Sequence, residues 1–426
     1  FFGPYGTYQG IDMKNDIAYL KQAGDDKTND SYTRIGAFLK ATIIKGLTLN
    51  ADYTFNINNK TTKSVGLPVI CWNSWGGKLN TPTTAAGANG DTWVYQNSVR
   101  DNSYALNVFA NYELTVAKDH HFNFMIGANA EEGEYQNHWS QRKGLLDDKL
   151  PEFNLATGDQ TVGGTHNEWG TAGWFGRINY DYNGKYLVEG NLRYDGSSRF
   201  RRGNRWILTP SFSLGWNVAR ENFWEKLADV VEVFKLRVSY GELANQNTTS
   251  WYPTYQTLGV TTNGGKWLQN GALTSVASVP GLISTSLSWE KIKNTNIGFD
   301  FGALNNRLTG SFDYFWRKTK NMVGPGVELP AILGATVPST NNTDLTTFGW
   351  ELSIGWRDKV GELGYGVKLN ISDNQTRIDK YPNPTNSLSK YMAGELTGDI
   401  YGYTTIGIAK TQEEMDAHIA SLPKGG

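Results

Sequence analysis

Residues 47–57 alternate without a break. Leu47, Leu49, Ala51, Tyr53, Phe55 and Ile57 share one parity, and Thr48, Asn50, Asp52, Thr54 and Asn56 share the other. Successive side chains of a strand point to opposite faces, so this pattern specifies a strand with one apolar and one polar face. It recurs at 174–182, where Trp174, Gly176, Ile178, Tyr180 and Tyr182 oppose Phe175, Arg177, Asn179 and Asp181. Asn183-Gly184 follows, the strongest short hairpin signal. After it, Tyr186, Val188, Gly190, Leu192 and Tyr194 oppose Glu189, Asn191, Arg193 and Asp195. Segments 208–218, 297–301, 308–316, 348–356 and 365–371 repeat the pattern, with weaker matches at 31–42, 103–113, 121–130 and 235–242. About twelve strands are expected.

Composition agrees with an all-β chain: 48 Gly, 22 Tyr, 18 Phe and 15 Trp accompany a charged fraction of only 19%. Two short helices are expected within it. One is at 222–231, where Phe223, Leu227, Val230 and Val231 have helical spacing. The other follows Thr411, whose capping-box partner is Glu414. A net charge of -1 provides no field for nucleic acid, and the single cysteine, Cys71, permits no internal disulfide and sits in no zinc spacing.

The links between strands alternate in length. Short ones lie at 44–46, 117–120, 183–184, 303–306 and 358–362, and long ones at 58–102, 133–171, 243–292 and 318–346. Short turns at one end and long loops at the other characterise outer-membrane barrels, whose long loops face outside the cell. The mean hydropathy of -0.47 does not oppose this, because only alternate residues of a barrel strand meet lipid. Many of the segments also run to about ten residues, near the length that crosses a bilayer at a tilt and beyond the usual soluble strand. Aromatics crowd the strand ends, as an interfacial girdle requires. Arg193 turned to hydrocarbon would cost about 2 to 4 kcal/mol near the midplane. Val188, Leu192, Phe212, Leu214, Phe312 and Ile354 are therefore expected to face lipid, and Arg193, Asn217, Asp313 and Glu351 the lumen.

The stretch Arg193-Tyr194-Asp195-Gly196-Ser197-Ser198-Arg199-Phe200, followed by Arg205-Trp206 and Pro210-Ser211-Phe212-Ser213-Leu214-Gly215-Trp216, resembles the barrel of SusC/RagA-like TonB-dependent outer-membrane transporters. The resemblance continues through Leu236-Arg237-Val238-Ser239-Tyr240-Gly241, Asn245-Gln246, Trp289-Glu290-Lys291, Asn296-Ile297-Gly298-Phe299-Asp300, Asn305-Asn306-Arg307-Leu308 and Phe312-Asp313-Tyr314. Late matches are Gly349-Trp350-Glu351-Leu352, Tyr401-Gly402-Tyr403 and Gly407-Ile408. It implies an antiparallel transmembrane β-barrel of roughly 22 strands when complete. Residues 1–426 would form part of that barrel with its long extracellular loops, and the plug and N-terminal domains would lie outside this chain. It further implies a nutrient importer of the bacterial outer membrane, without enzymatic activity or cofactor. Such an importer takes up oligosaccharides or peptides with a SusD-like surface lipoprotein and TonB, which it contacts through parts not present here. A siderophore or cobalamin receptor and a passive porin are the alternatives.

No catalytic or metal site is expected. Glu131-Glu132 and Asp147-Asp148 have no fixed partner and suit solvated loops. Asp25, Asp26 and Asp30 lack a calcium-loop spacing, His120-His121 sits at a short turn, and Gly163-Gly164 and Gly264-Gly265 read as loop hinges. The candidate substrate-binding residues are aromatics of the long links: Trp72, Trp75, Trp93, Trp139, Trp169, Trp251, Tyr252, Tyr255 and Trp267. Their rings can stack on sugars or peptide side chains, or equally pack the loops together and onto a partner.

Overall fold

The structure, a computed structural model, describes residues 5–8, 11–14, 20–72, 78–80, 92–248, 250–262, 264–327, 330, 332, 334, 337–400, 402 and 404–422. Twelve strands form one antiparallel sheet: β1 (Asp26–Ile44), β2 (Leu47–Gly66), β3 (Trp93–Val116), β4 (His120–Lys143), β5 (Gln160–Tyr182) and β6 (Tyr186–Ser197), then β7 (Trp206–Asn217), β8 (Val231–Asn245), β9 (Glu290–Ala303), β10 (Leu308–Gly324), β11 (Thr340–Val360) and β12 (Leu363–Lys380). Each pairs with the next, and the sheet stays open, β1 and β12 having one neighbour each within it. The hairpins close as their turn residues dictate. Asn183 and Gly184, at φ 49° and 64°, occupy the two left-handed positions of a type I′ turn.

Register carries one parity across the sheet. Val188 faces Tyr180 and Leu214, and the row continues through Val238, Ile297, Tyr314 and Trp350. One position along, Glu189 faces Asn179 and Ser213, which continues to Ser239 and Asn296. All six residues expected toward lipid share the first face, and Arg193, Asn217, Asp313 and Glu351 share the second. No second layer covers the apolar face among the described residues, and Val188, Leu192, Phe212 and Leu214 are 41–50% exposed. A soluble domain rarely leaves so continuous an apolar surface bare, whereas lipid covers it in a membrane.

Aromatic clusters bound this face above and below. Trp174, Tyr194 and Trp206 stack at centroid distances of 5.1–6.4 Å. Toward the short turns, Tyr182, Tyr186 and Trp216 stack at 6.2 and 6.5 Å. Trp206 and Trp216 stand ten positions apart on β7, about 33 Å of strand, or about 25 Å of height at a tilt near 40°. That is the height of a barrel's apolar band.

Three expectations need correction. Strands β3 and β4 run 24 residues and β5 runs 23, so the expected links 58–102 and 133–171 shrink to 67–92 and 144–159. The paired backbone continues above the membrane, where both faces meet water and pairing no longer imposes an apolar period. Glu131-Glu132 and Gly163-Gly164 therefore belong to β4 and β5 and are not loop residues. The helix expected at 222–231 is a 3₁₀ turn at Asn222–Trp224 and a short helix α1 (Glu225–Ala228), because Val231 is taken into β8 by pairing with Ala303. Helix α2 (Gln412–Ser421) forms as its cap suggests. Thr411 Oγ1 accepts from the Glu414 N–H at 3.2 Å, and the Glu414 carboxylate accepts from the Lys410 N–H at 2.6 Å.

Candidate functional site

Above the upper aromatic cluster, β3, β4 and β5 continue as a wall. Ala128 faces Trp174 at the cluster, and β4 runs on to Lys143, about 50 Å of strand further. Parity assigns Trp93 and Tyr95 of β3, Tyr135 and Trp139 of β4 and Trp169 of β5 to the polar face, the one that carries Asp52, Asn107 and Arg193.

These rings form a column. Trp93 meets Tyr95 edge-on at 6.5 Å, and Tyr95 stacks with Trp139 at 6.1 Å. Trp139 lies over Gly163, where an added Cβ would come within 2.6 Å of its ring, and Trp169 lies over Gly133, where the corresponding approach is 2.2 Å. Glycine is required at both positions because the indole occupies the space of a side chain. Between these two levels, Trp251 reaches in from the connection 246–289 and stacks on Tyr135 at 6.1 Å, while the Arg199 guanidinium sits 5.6 Å from its centroid. The connection is anchored beside it. Phe200, Ile207, Leu287 and Trp289 form a small buried cluster, and the Trp289 indole N–H donates to the Arg205 carbonyl at 2.9 Å.

Of the sequence candidates, the structure thus gathers Trp93, Trp139, Trp169 and Trp251. Tyr252 and Tyr255 join no ring of the column and line a groove of about 920 Å³ with Tyr53, Leu106 and Trp206 of the apolar face, to which Trp169 also contributes. Trp267 is 62% exposed and joins no ring pair among the described residues. Trp72 ends the short strand Ile70–Trp72, and its side chain lies outside the described residues, as does Trp75 altogether. Tyr95, Tyr135 and Arg199 were missed. The first two could have been found from their parity with Trp93 and Trp139, whereas Arg199 meets Trp251 only through the tertiary fold.

Below the column the polar face is held by charge pairs. Arg237 Nη2 donates to Asp300 at 2.9 Å and to Asp313 at 3.0 Å, and Arg193 meets Asp195 at 2.8 Å. At the short-turn end Glu221 accepts from the Tyr186 hydroxyl at 2.6 Å, the Trp216 indole at 3.1 Å and Lys185 at 3.2 Å. The Tyr186 and Trp216 bonds hold this carboxyl below the usual glutamate range.

A polar face lined by ion pairs, an apolar face between two aromatic clusters and a wall extended on one side only define part of a transmembrane β-barrel of the outer membrane. The chain belongs to the family described as TonB dependent receptor-like, beta-barrel, whose model matches residues 1–411. It is 27% identical to the TonB-dependent receptor P3 of Formosa agariphila over 95% of this chain and 40% of that protein. It is 28% identical to the TonB-dependent receptor SusC of Bacteroides thetaiotaomicron over 88% of this chain and 35% of that one. The structure of the RagAB peptide transporter aligns with a TM-score of 0.75 at 22% identity, over 91% of this chain and 40% of that one, which shows a shared fold. The chain spans less than half the length of these relatives.

Proposed function

We propose that residues 1–426 form part of the barrel wall of a SusC-like, TonB-dependent importer. It would carry oligosaccharides or peptides across the outer membrane, with its plug and N-terminal domains elsewhere in the protein and a SusD-like lipoprotein as its surface partner. Family membership and the SusC relative support TonB-dependent import. The RagAB transporter, described as a peptide importer, supports a large cargo. The observation that carries the reading is the aromatic column on the polar face above the membrane. Levels 133 to 139 of β4 hold Trp169, Tyr135 with Trp251, and Trp139, a span of about 20 Å that suits an extended chain with several stacking units better than a compact chelate.

The test is energised uptake by cells carrying the full-length transporter. Uptake of a fluorescent oligosaccharide or peptide should stop when TonB is deleted and fall when Trp139 and Trp251 are both changed to alanine. Undiminished uptake without TonB would overturn the proposal.

A further inference from the structure

Glu134 on β4 and His166 and Glu168 on β5 converge on the face opposite the aromatic column. His166 Nε2 lies 3.1 Å from Glu134 Oε1 and 3.3 Å from Glu168 Oε1, and all three ligand atoms fall within 4.8 Å of one another. Glu134 and Glu168 are direct register partners, and like charges placed opposite each other across two strands repel. Gln136 donates its amide to Glu134 Oε1 at 2.5 Å, fixing that carboxylate as an outer partner fixes a metal ligand.

We propose that Glu134, His166 and Glu168 bind a divalent transition-metal ion of the zinc type. Zinc bonds to imidazole nitrogen and carboxylate oxygen are about 2.0–2.2 Å, so the edges of a zinc tetrahedron are roughly 3.3–3.5 Å. The separation to Glu168, 3.3 Å, falls at the edge of that range, and the one to Glu134, 3.1 Å, lies about 0.2 Å below it. Three protein ligands leave a fourth position for water, and the imidazole selects against calcium, which takes six to eight oxygens. The position tolerates charge because Glu134 stands six places along β4 beyond Ala128, about 20 Å of strand past the girdle. The ion would staple β4 to β5 at the point where the Glu168 N–H donates to the Tyr252 hydroxyl at 2.9 Å, and so would fix where the connection 246–289 lands.

The experiment is zinc chloride titration by calorimetry of the full-length transporter in detergent, alongside His166→Ala and Glu168→Gln, with cobalt(II) absorption as a second readout. Heat-modifiable migration verifies that each variant folds. Wild type should bind one zinc equivalent more than His166→Ala and show a tetrahedral cobalt band that the variant lacks. Glu168→Gln should bind at least about tenfold more weakly. Equal stoichiometry and affinity in wild type and His166→Ala would overturn the assignment, and so would displacement of zinc by an equal concentration of calcium.

Discussion

Replacing Phe212 with arginine tests which face of the sheet meets lipid. Phe212 lies four positions from Trp216 and six from Trp206 on β7. Four positions are about 13 Å of strand, or about 10 Å of height at a tilt near 40°, in an apolar band of about 25 Å. The residue therefore sits within a few ångströms of the midplane, where arginine on the lipid face costs about 2 to 4 kcal/mol. Its neighbour Ser213 has the opposite parity and faces Glu189 across the hairpin. An arginine there enters the lumen beside a carboxylate and should cost less than about 1 kcal/mol. Each 1.4 kcal/mol is tenfold in an equilibrium constant, so Phe212→Arg should shift folding by roughly 30-fold to 1,000-fold. The assay is reversible folding of the full-length protein into lipid vesicles, titrated with guanidinium and followed by tryptophan fluorescence. A loss for Ser213→Arg equal to or larger than that for Phe212→Arg would refute the assignment of faces.

Gly163→Val should push the Trp139 ring from its place over β5, weakening uptake of an oligosaccharide or peptide at least as much as Trp139→Ala in the same transport assay. Arg237→Met leaves Asp300 and Asp313 without their shared donor and should cost about 1 to 2 kcal/mol in the same unfolding titration, these groups being about one-third exposed. Because Glu221 is held below its ordinary range in the folded chain, its contribution is fully present above the unfolded value of about 4.3 and is lost as pH falls through the folded value. Acidification should thus lower the wild-type unfolding midpoint more steeply than that of Glu221→Gln. Epitope tags in the connection 246–289 should be reached from outside whole cells, and a tag at Asn183-Gly184 should stay hidden until the outer membrane is opened.

The strands that cross the bilayer were legible in the sequence because lipid on one side and a polar lumen on the other force a period of two. Leu47, Leu192 and Phe212 declare their faces without any knowledge of their neighbours. The Asn183-Gly184 turn was legible for an equally local reason, since both central residues must adopt positive φ. Above the membrane the physics changes. Water on both faces removes the period, so nothing local marks 58–66, 93–102, 133–143 and 160–171 as strand, and Trp93, Trp139 and Trp169 looked like loop residues. Which rings meet was decided by register across strands distant in sequence: Trp139 lies over Gly163, and Glu134 opposes Glu168 thirty-four positions away. The sequence alone determined the alternating face of each membrane strand, because that is a property of one strand and its two solvents. Only the tertiary structure decided the aromatic column and the Glu134, His166 and Glu168 cluster, because each exists only where hydrogen-bonded neighbours hold side chains of one parity at one height.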